Sequence, residues 1–273
     1  MKGRVTPIVI AVCMIVSCIP TSAFAGASTP RITEGIDASD PVTLISSIQD
    51  KEKREMIERL YTPIYVSYES GELNENIDEY DDINSTIDNI KRLRKLSLIE
   101  LQIEMKKRIS ELIRESMSKK SIGYFTDEGV ELVKEYCPTE INMIRTEQNF
   151  NIDYALGKLQ YVGDAEEKAG SKPYDSTNTV GYTCAEGRAF ALTVTIKWSV
   201  KNKKIVSRSS TSSTWTNGLW TRKSKKKTVD KIDSRGFGHI VWKARFQHKV
   251  GLPVIKHVNN GAWFYADGGC DWN

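Results

Sequence analysis

The stretch RAFALTVTIKWSV, residues 188–200, carries the clearest secondary-structure signal in this 273-residue chain. Its large apolar residues take every second position, with small or polar residues between them. Because successive side chains of a strand point to opposite faces, six alternations in a row predict a β-strand with one buried face. The alternating residues are Phe190, Leu192, Val194, Ile196, Trp198 and Val200.

Residues after this stretch predict more antiparallel strands. Residues 205–216 are rich in Ser and Thr, and Asn217-Gly218 then predicts a hairpin tip, because both residue types tolerate positive φ. Alternation returns over 237–250, and two shorter strands are expected at 252–258 and 262–266. Five or six strands with one polar face predict a small antiparallel β-sandwich or open barrel.

The preceding half of the chain predicts helices. Apolar residues recur there at spacings of three and four, and Asp40-Pro41 has the residues of a helix start. The expected class is therefore α+β, with an N-terminal helical bundle or helical hairpin before the β part. The helices are expected within 41–60, 86–118, 126–137 and 139–160.

The two halves have opposite charge. Residues 26–175 contain 20 Lys/Arg and 30 Asp/Glu, a balance of −10, whereas residues 176–273 contain 17 Lys/Arg and five acids, a balance of +12. All six Trp also lie in the second part. This asymmetry predicts two domains. We assign residues 26–40 to a flexible segment, 41–162 to an acidic helical region, 163–178 to a linker and 179–273 to a basic, Trp-rich β domain.

The N-terminus has the layout of a secretory signal peptide. Lys2 and Arg4 precede an apolar stretch, and the small residues Ala23 and Ala25 predict cleavage after Ala25. Ile15-Val16-Ser17-Cys18 also resembles a bacterial lipobox, which would make Cys18 a lipidated N-terminus. Either route places the protein outside the cytoplasm, secreted or at the cell envelope.

Three cysteines remain after cleavage at Ala25, namely Cys137, Cys184 and Cys270. An oxidising compartment favours one disulfide and one leftover thiol. We predict the Cys184–Cys270 disulfide, because these residues bracket the β part. Three unpaired thiols remain the alternative.

The sequence contains no recognised catalytic or cofactor-binding motif. His239, His248 and His257 are nine residues apart, an odd spacing that puts successive His side chains of one strand on opposite faces. We therefore predict no metal site, no cofactor and no assigned catalytic residue. Glu186 is the only carboxylate between Asp175 and Asp230, so a glycosidase-like pair would need a distant Asp partner.

The candidate binding residues are aromatic and cationic. Trp215 and Trp220 flank the predicted hairpin tip, where exposed indoles can stack on sugar rings. Packing of both indoles against the sheet is an equal alternative. Cations follow on the same strand and on the polar side of 237–250, and together they predict a positive face. They are Arg222, Lys223, Lys225, Lys226, Lys227, Lys243 and Arg245.

These features favour a non-catalytic binding protein that contacts an anionic wall polymer or a glycan. A membrane surface is a second possible partner, and export makes nucleic acid a poor natural one. The acidic and basic halves can also dock on each other within one chain. An exported hydrolase and a membrane-active protein remain the alternative functions.

Overall fold

The computed structural model describes residues 40–70, 79–117, 122–149, 171–251 and 254–272. Within these ranges the predicted α+β class is confirmed: helices come first, and two antiparallel sheets of five and four strands follow without closing into a barrel. The predicted signal peptide, both processing sites and residues 26–39 lie outside the described residues. No described helix has the length and apolar character that crossing a membrane requires.

Five α-helices are described in the helical part of the chain. Thr126 begins the last of them, since its hydroxyl accepts a hydrogen bond from the Gly129 amide at 3.1 Å. The expected helix over 86–118 is two helices, because Ser97 and Glu100 form a reciprocal capping box that starts a new one. The helices are α1 Pro41–Ser46, α2 Lys51–Leu60, α3 Glu79–Leu93, α4 Leu98–Met117 and α5 Asp127–Tyr136.

The chain after α5 differs from its prediction. Instead of a long helix from 139, the described residues form two short 3₁₀ turns, Pro138–Met143 and Glu147–Asn149. The remainder of that predicted helix lies outside the described residues. A strand begins at residue 172, within the segment 163–178 that the sequence assigned to a linker.

The larger sheet takes strands from both halves of the sequence. Its spatial order is β2-β1-β3-β4-β5, and all of its pairs are antiparallel. The first two strands interrupt the predicted helical region and add to the edge of β3, so the two halves share one sheet. The strands are β1 Tyr65–Ser70, β2 Gly123–Phe125, β3 Lys172–Cys184, β4 Gly187–Lys201 and β5 Lys204–Thr216.

The smaller sheet has the order β6-β7-β8-β9. Its strands are β6 Trp220–Ile232, β7 Gly238–His248, β8 Ile255–Phe264 and β9 Cys270–Trp272. The inner faces of the two sheets pack on each other: the Phe190 and Phe246 rings stack with centroids 4.4 Å apart, and those of Trp198 and Phe264 are 5.2 Å apart. The β part is thus a two-sheet sandwich.

The helices cover one end of this sandwich. Glu186, in the β3–β4 turn, contacts Arg92 of α3 and Arg108 of α4. At the same end, Lys256 at the start of β8 pairs with Glu128 of α5 at 2.6 Å. The turns β4–β5, β6–β7 and β8–β9 lie at the opposite end.

The predicted Cys184–Cys270 disulfide is wrong, since both thiols are free and buried. The reason is their separation along β3. Cys270 contacts Ser176, whereas Cys184 lies eight residues further along the same strand. At about 3.3 Å per residue that is roughly 26 Å, against the 4.4–6.8 Å between the Cα atoms of a disulfide.

Candidate functional site

The Asn217-Gly218 pair is not the tip of a hairpin. It carries the chain from β5 in one sheet to β6 in the other, and both residues are buried. Gly218 does have the predicted positive φ, +84°, but a Cβ there would lie 3.3 Å from both Ile83 and Pro41. The segment therefore packs under α1 and α3.

Neither predicted Trp stands at an exposed tip. Trp220 is only 1% exposed, and its ring packs 4.6 Å from Phe190 and 4.9 Å from His248 between centroids. Trp215 is half-buried on β5, directly opposite Ala191. Because Trp220 is buried, these two indoles do not form one exposed surface.

The cations that the sequence predicted as one cluster on β6 have different environments in the structure. Lys225 turns inward, donates to the Ser212 carbonyl and lies over the Trp242 ring, while Lys227 pairs with Asp230. Burial lowers the pKa of Lys225, and the neighbouring Arg222 adds to that effect. Arg222 and Lys223 are exposed beside a β-bulge. These cations therefore do not act as one group.

Four other cations share the outer face of the smaller sheet, and we call them the basic face: Lys226, Lys231, Lys243 and Arg245. Their position follows from the register. Lys226 lies directly opposite Lys243, and Lys243 and Arg245 alternate along β7 with the inward-facing residues Trp242, Ala244 and Phe246. All four basic-face side chains are exposed.

The basic face lacks compensating charge. Among the described residues, none of its four cations has an ion pair or a side-chain hydrogen bond. Among the described outward-facing residues of the smaller sheet, Asp271 is the one carboxylate. It accepts a hydrogen bond from the Tyr265 hydroxyl at 2.7 Å. Like charges placed directly opposite each other destabilise a sheet. The face is therefore a site of concentrated positive potential.

An aromatic pair adjoins the basic face. The His239 and Trp263 rings lie opposite each other on β7 and β8, stacked at 4.0 Å with 9° between their planes. Lys231 lies across from His239 on β6. Burial, and then the charge of Lys231, lower the pKa of His239. This end of the face thus combines a flat ring surface with a cation.

Sequence reasoning missed Lys231 and Trp263 as site residues. Trp263 lies between the inward-facing Ala262 and Phe264, so alternation could have assigned it to the outer face. Lys231 could not be placed this way, since the bulges in β6 shift its register twice. Lys243 and Arg245 lie on the polar face of β7, where the alternation of 237–250 predicts them.

The residues considered for catalysis do not form a site. The side chain of Glu186 is 1% exposed and is held by Asn89 and Arg92, so it joins the β3–β4 turn to α3. Cys137 is buried, with its sulfur 3.2 Å from the Ser110 hydroxyl. His239 and His248 face opposite sides of β7, as their spacing predicts. In the described part of the chain, no group of three or more His, Cys, Asp or Glu could hold a metal ion.

Comparisons with protein-family models, curated proteins and solved structures found no significant match.

Proposed function

We propose that the protein is a non-catalytic binding protein of the cell envelope or exterior, and that its basic face binds an anionic polymer. One observation carries this proposal. Lys226 and Lys243 lie directly opposite each other and are exposed, and neither has an acidic partner among the described residues. Such repulsion lowers the stability of the free protein. A polyanion bound to this face would neutralise both lysines and remove the repulsion.

Protection against aggregation does not account for this arrangement. Lysines on an exposed edge strand prevent pairing with other chains, and β6 is an edge strand. Lys243 and Arg245, however, lie on β7, whose backbone is paired on both sides. An interior strand needs no such protection, so binding is the better explanation for its cations.

The aromatic end of the face supports a polymer that contains rings. Along β7, His239 lies four residues from Lys243. At about 3.4 Å per residue the ring pair is therefore roughly 14 Å from the paired lysines. A phosphate-bearing chain with sugar units fits this layout, because sugar rings stack on Trp and phosphates pair with Lys and Arg.

The proposal predicts that binding depends on these cations. We expect the Lys226→Gln/Lys243→Gln/Arg245→Gln variant to lose at least tenfold in affinity for cell-wall sacculi that carry anionic polymers, measured by co-sedimentation across a salt series. The matched control is Lys95→Gln/Lys106→Gln/Lys107→Gln, which removes the same charge from exposed positions in the α3–α4 turn and in α4. We expect it to bind as the unaltered protein does. Affinity should also fall steeply with salt, since exposed charges are screened.

Three outcomes would contradict the proposal. Equal losses in both triple variants would mean that net charge, and not this face, governs binding. Salt-insensitive binding to sacculi stripped of their polymers would indicate glycan stacking without the cations. Binding to anionic liposomes but not to sacculi would indicate a membrane surface as the partner.

A further inference from the structure

Helix α4 exposes two isoleucines that the core does not use. Ile99 is 70% exposed and Ile103 is 63% exposed, the largest fractions among the described large apolar side chains. Because they are four residues apart, both lie on one side of the helix. The apolar residues that α4 buries, among them Leu101, Met105 and Ile109, lie on another side. Isoleucine is also a weaker helix former than Lys, Gln or Glu, so folding does not explain the pair.

Cations adjoin the isoleucines at both ends. Lys95 lies in the α3–α4 turn, four residues before Ile99, and Lys106 and Lys107 follow Ile103 by three and four residues on α4. All three lysines are exposed, and none forms an ion pair among the described residues. We call these five residues the α4 patch. It combines aliphatic surface with positive charge.

Each carboxylate of α4 within one turn of the patch is held by another partner. Glu100 accepts the backbone N–H of Ser97 at 2.7 Å, in the capping box that begins the helix. Glu104 and Glu111 both lie 3.3 Å from the Arg108 guanidinium. The positive charge of the three lysines is therefore not neutralised from their own helix.

The shape and charge of the patch distinguish between possible partners. The isoleucines project from the convex surface of a helix, so a folded protein would need a groove to enclose them. A second copy of the chain, paired through the isoleucines, would bring the lysines of both copies together, and like charges repel. An anionic lipid surface suits both features. The boundary between headgroups and acyl chains receives apolar side chains, and the long lysine stems let the ammonium groups reach the phosphates.

We infer that the α4 patch docks the protein on an anionic membrane surface, with Ile99 and Ile103 inserted at the level of the headgroups. Such binding strengthens with the apolar area that is buried and with the attraction between Lys and anionic lipid. The inference does not depend on the proposed function, because the basic face lies on the smaller sheet and shares no residue with the α4 patch. A protein with both surfaces can hold a polymer while it rests on a membrane.

The test is co-sedimentation with phospholipid vesicles of the chain that begins at Gly26, because the residues before it are expected to form a signal peptide, which would bind lipid itself. We expect binding to mixed vesicles of phosphatidylcholine and phosphatidylglycerol. Binding to vesicles of phosphatidylcholine alone should be at least tenfold weaker, since the lysines require anionic headgroups. Absence of binding to the mixed vesicles would overturn the inference.

An apolar variant locates the contact. Ile99→Gln/Ile103→Gln keeps the charge of the patch and should weaken binding to the mixed vesicles at least tenfold. The matched control is Val206→Thr/Ile232→Thr, which replaces two exposed apolar side chains on β5 and β6 and should bind as the unaltered protein does. Circular dichroism verifies that each variant folds. Equal vesicle affinity in these two variants would place the contact elsewhere and overturn the inference.

Charge variants separate this surface from the basic face. Replacing the three lysines of the α4 patch with Gln should weaken vesicle binding at least tenfold, whereas Lys226→Gln/Lys243→Gln/Arg245→Gln should retain it. Against cell-wall sacculi, which contain no membrane, the effects of the two variants should be reversed. A loss of vesicle binding in the basic-face variant as large as that in the α4-patch variant would show that the patch is not the lipid contact.

Discussion

The buried amide of Asn260 joins the two sheets of the sandwich. Its Nδ2 donates to the carbonyls of Asn178 and Leu192, both at 2.9 Å, and its Oδ1 accepts from Asn178 Nδ2 at 3.1 Å. Asn260 is fully buried on β8, while its partners lie on β3 and β4 of the other sheet. An apolar core alone would allow the sheets to slide, whereas these directional bonds fix one alignment.

Removing this amide should destabilise the fold. We expect Asn260→Ala to lower the free energy of unfolding by about 2–3 kcal/mol, because it removes three hydrogen bonds that are buried between the sheets. Asn259→Ala, on the exposed outer face, should change it by less than about 0.5 kcal/mol. Urea unfolding followed by circular dichroism measures both. Equal effects would show that the amide bonds do not stabilise the sandwich.

At the scale of single elements, local sequence signals predicted the conformation of strands and turns better than they predicted which strands pair with each other. The alternation in 188–200 predicted β4, and Asn217-Gly218 predicted a turn that does contain a positive φ. A turn between two sheets has the same local signature as a hairpin, so the sequence could not show that β5 and β6 belong to different sheets. Trp220 was assigned to an exposed tip for this reason.

The cysteines show the same limit of sequence-based prediction, because the sequence did not indicate that Cys184 and Cys270 lie at distant points along β3. Burial raises the pKa of both the Cys184 and Cys270 thiols to about 12, which leaves almost no reactive thiolate near neutral pH. We expect a thiol reagent to react with neither in the native chain that begins at Gly26. After unfolding in denaturant it should detect three thiols, since Cys137 is the third. Detection of one thiol would show that Cys184 and Cys270 are joined after all.

On the scale of the whole molecule, the charge boundary in the sequence does not divide the sheets. β1, from the acidic half, pairs with β3 from Tyr65 to Ser70, and the helices cover Gly218 and the β3–β4 turn. Composition reports where charge lies along the chain, whereas the sheet is assembled from contacts between distant residues. Of the candidate site, the sequence predicted Lys226, Lys243 and Arg245 as binding residues. That Lys226 lies directly opposite Lys243, and Lys231 opposite His239, required the register of β6 and β7.

A fragment of residues 171–273 should therefore fail to fold alone. Without β1 the edge of β3 is unpaired, and without the helices the buried Leu219 and Trp220 become exposed. We expect no cooperative urea transition for this fragment by circular dichroism. A chain starting at Asp40 should give a single transition. A cooperative transition for residues 171–273 would show that the β part is an independent domain.

If the basic face binds a polymer as proposed, the placement of the helices at one end of the sandwich leaves the other end open to it. The strands of the smaller sheet run from the helical end to the turns β6–β7 and β8–β9, where no described helix lies. A polymer that follows the strands across the basic face can continue past these turns. At that end of the face, the protein would then not require the polymer to terminate. Several copies could load side by side on one strand of polymer, with a spacing set by the width of the sandwich.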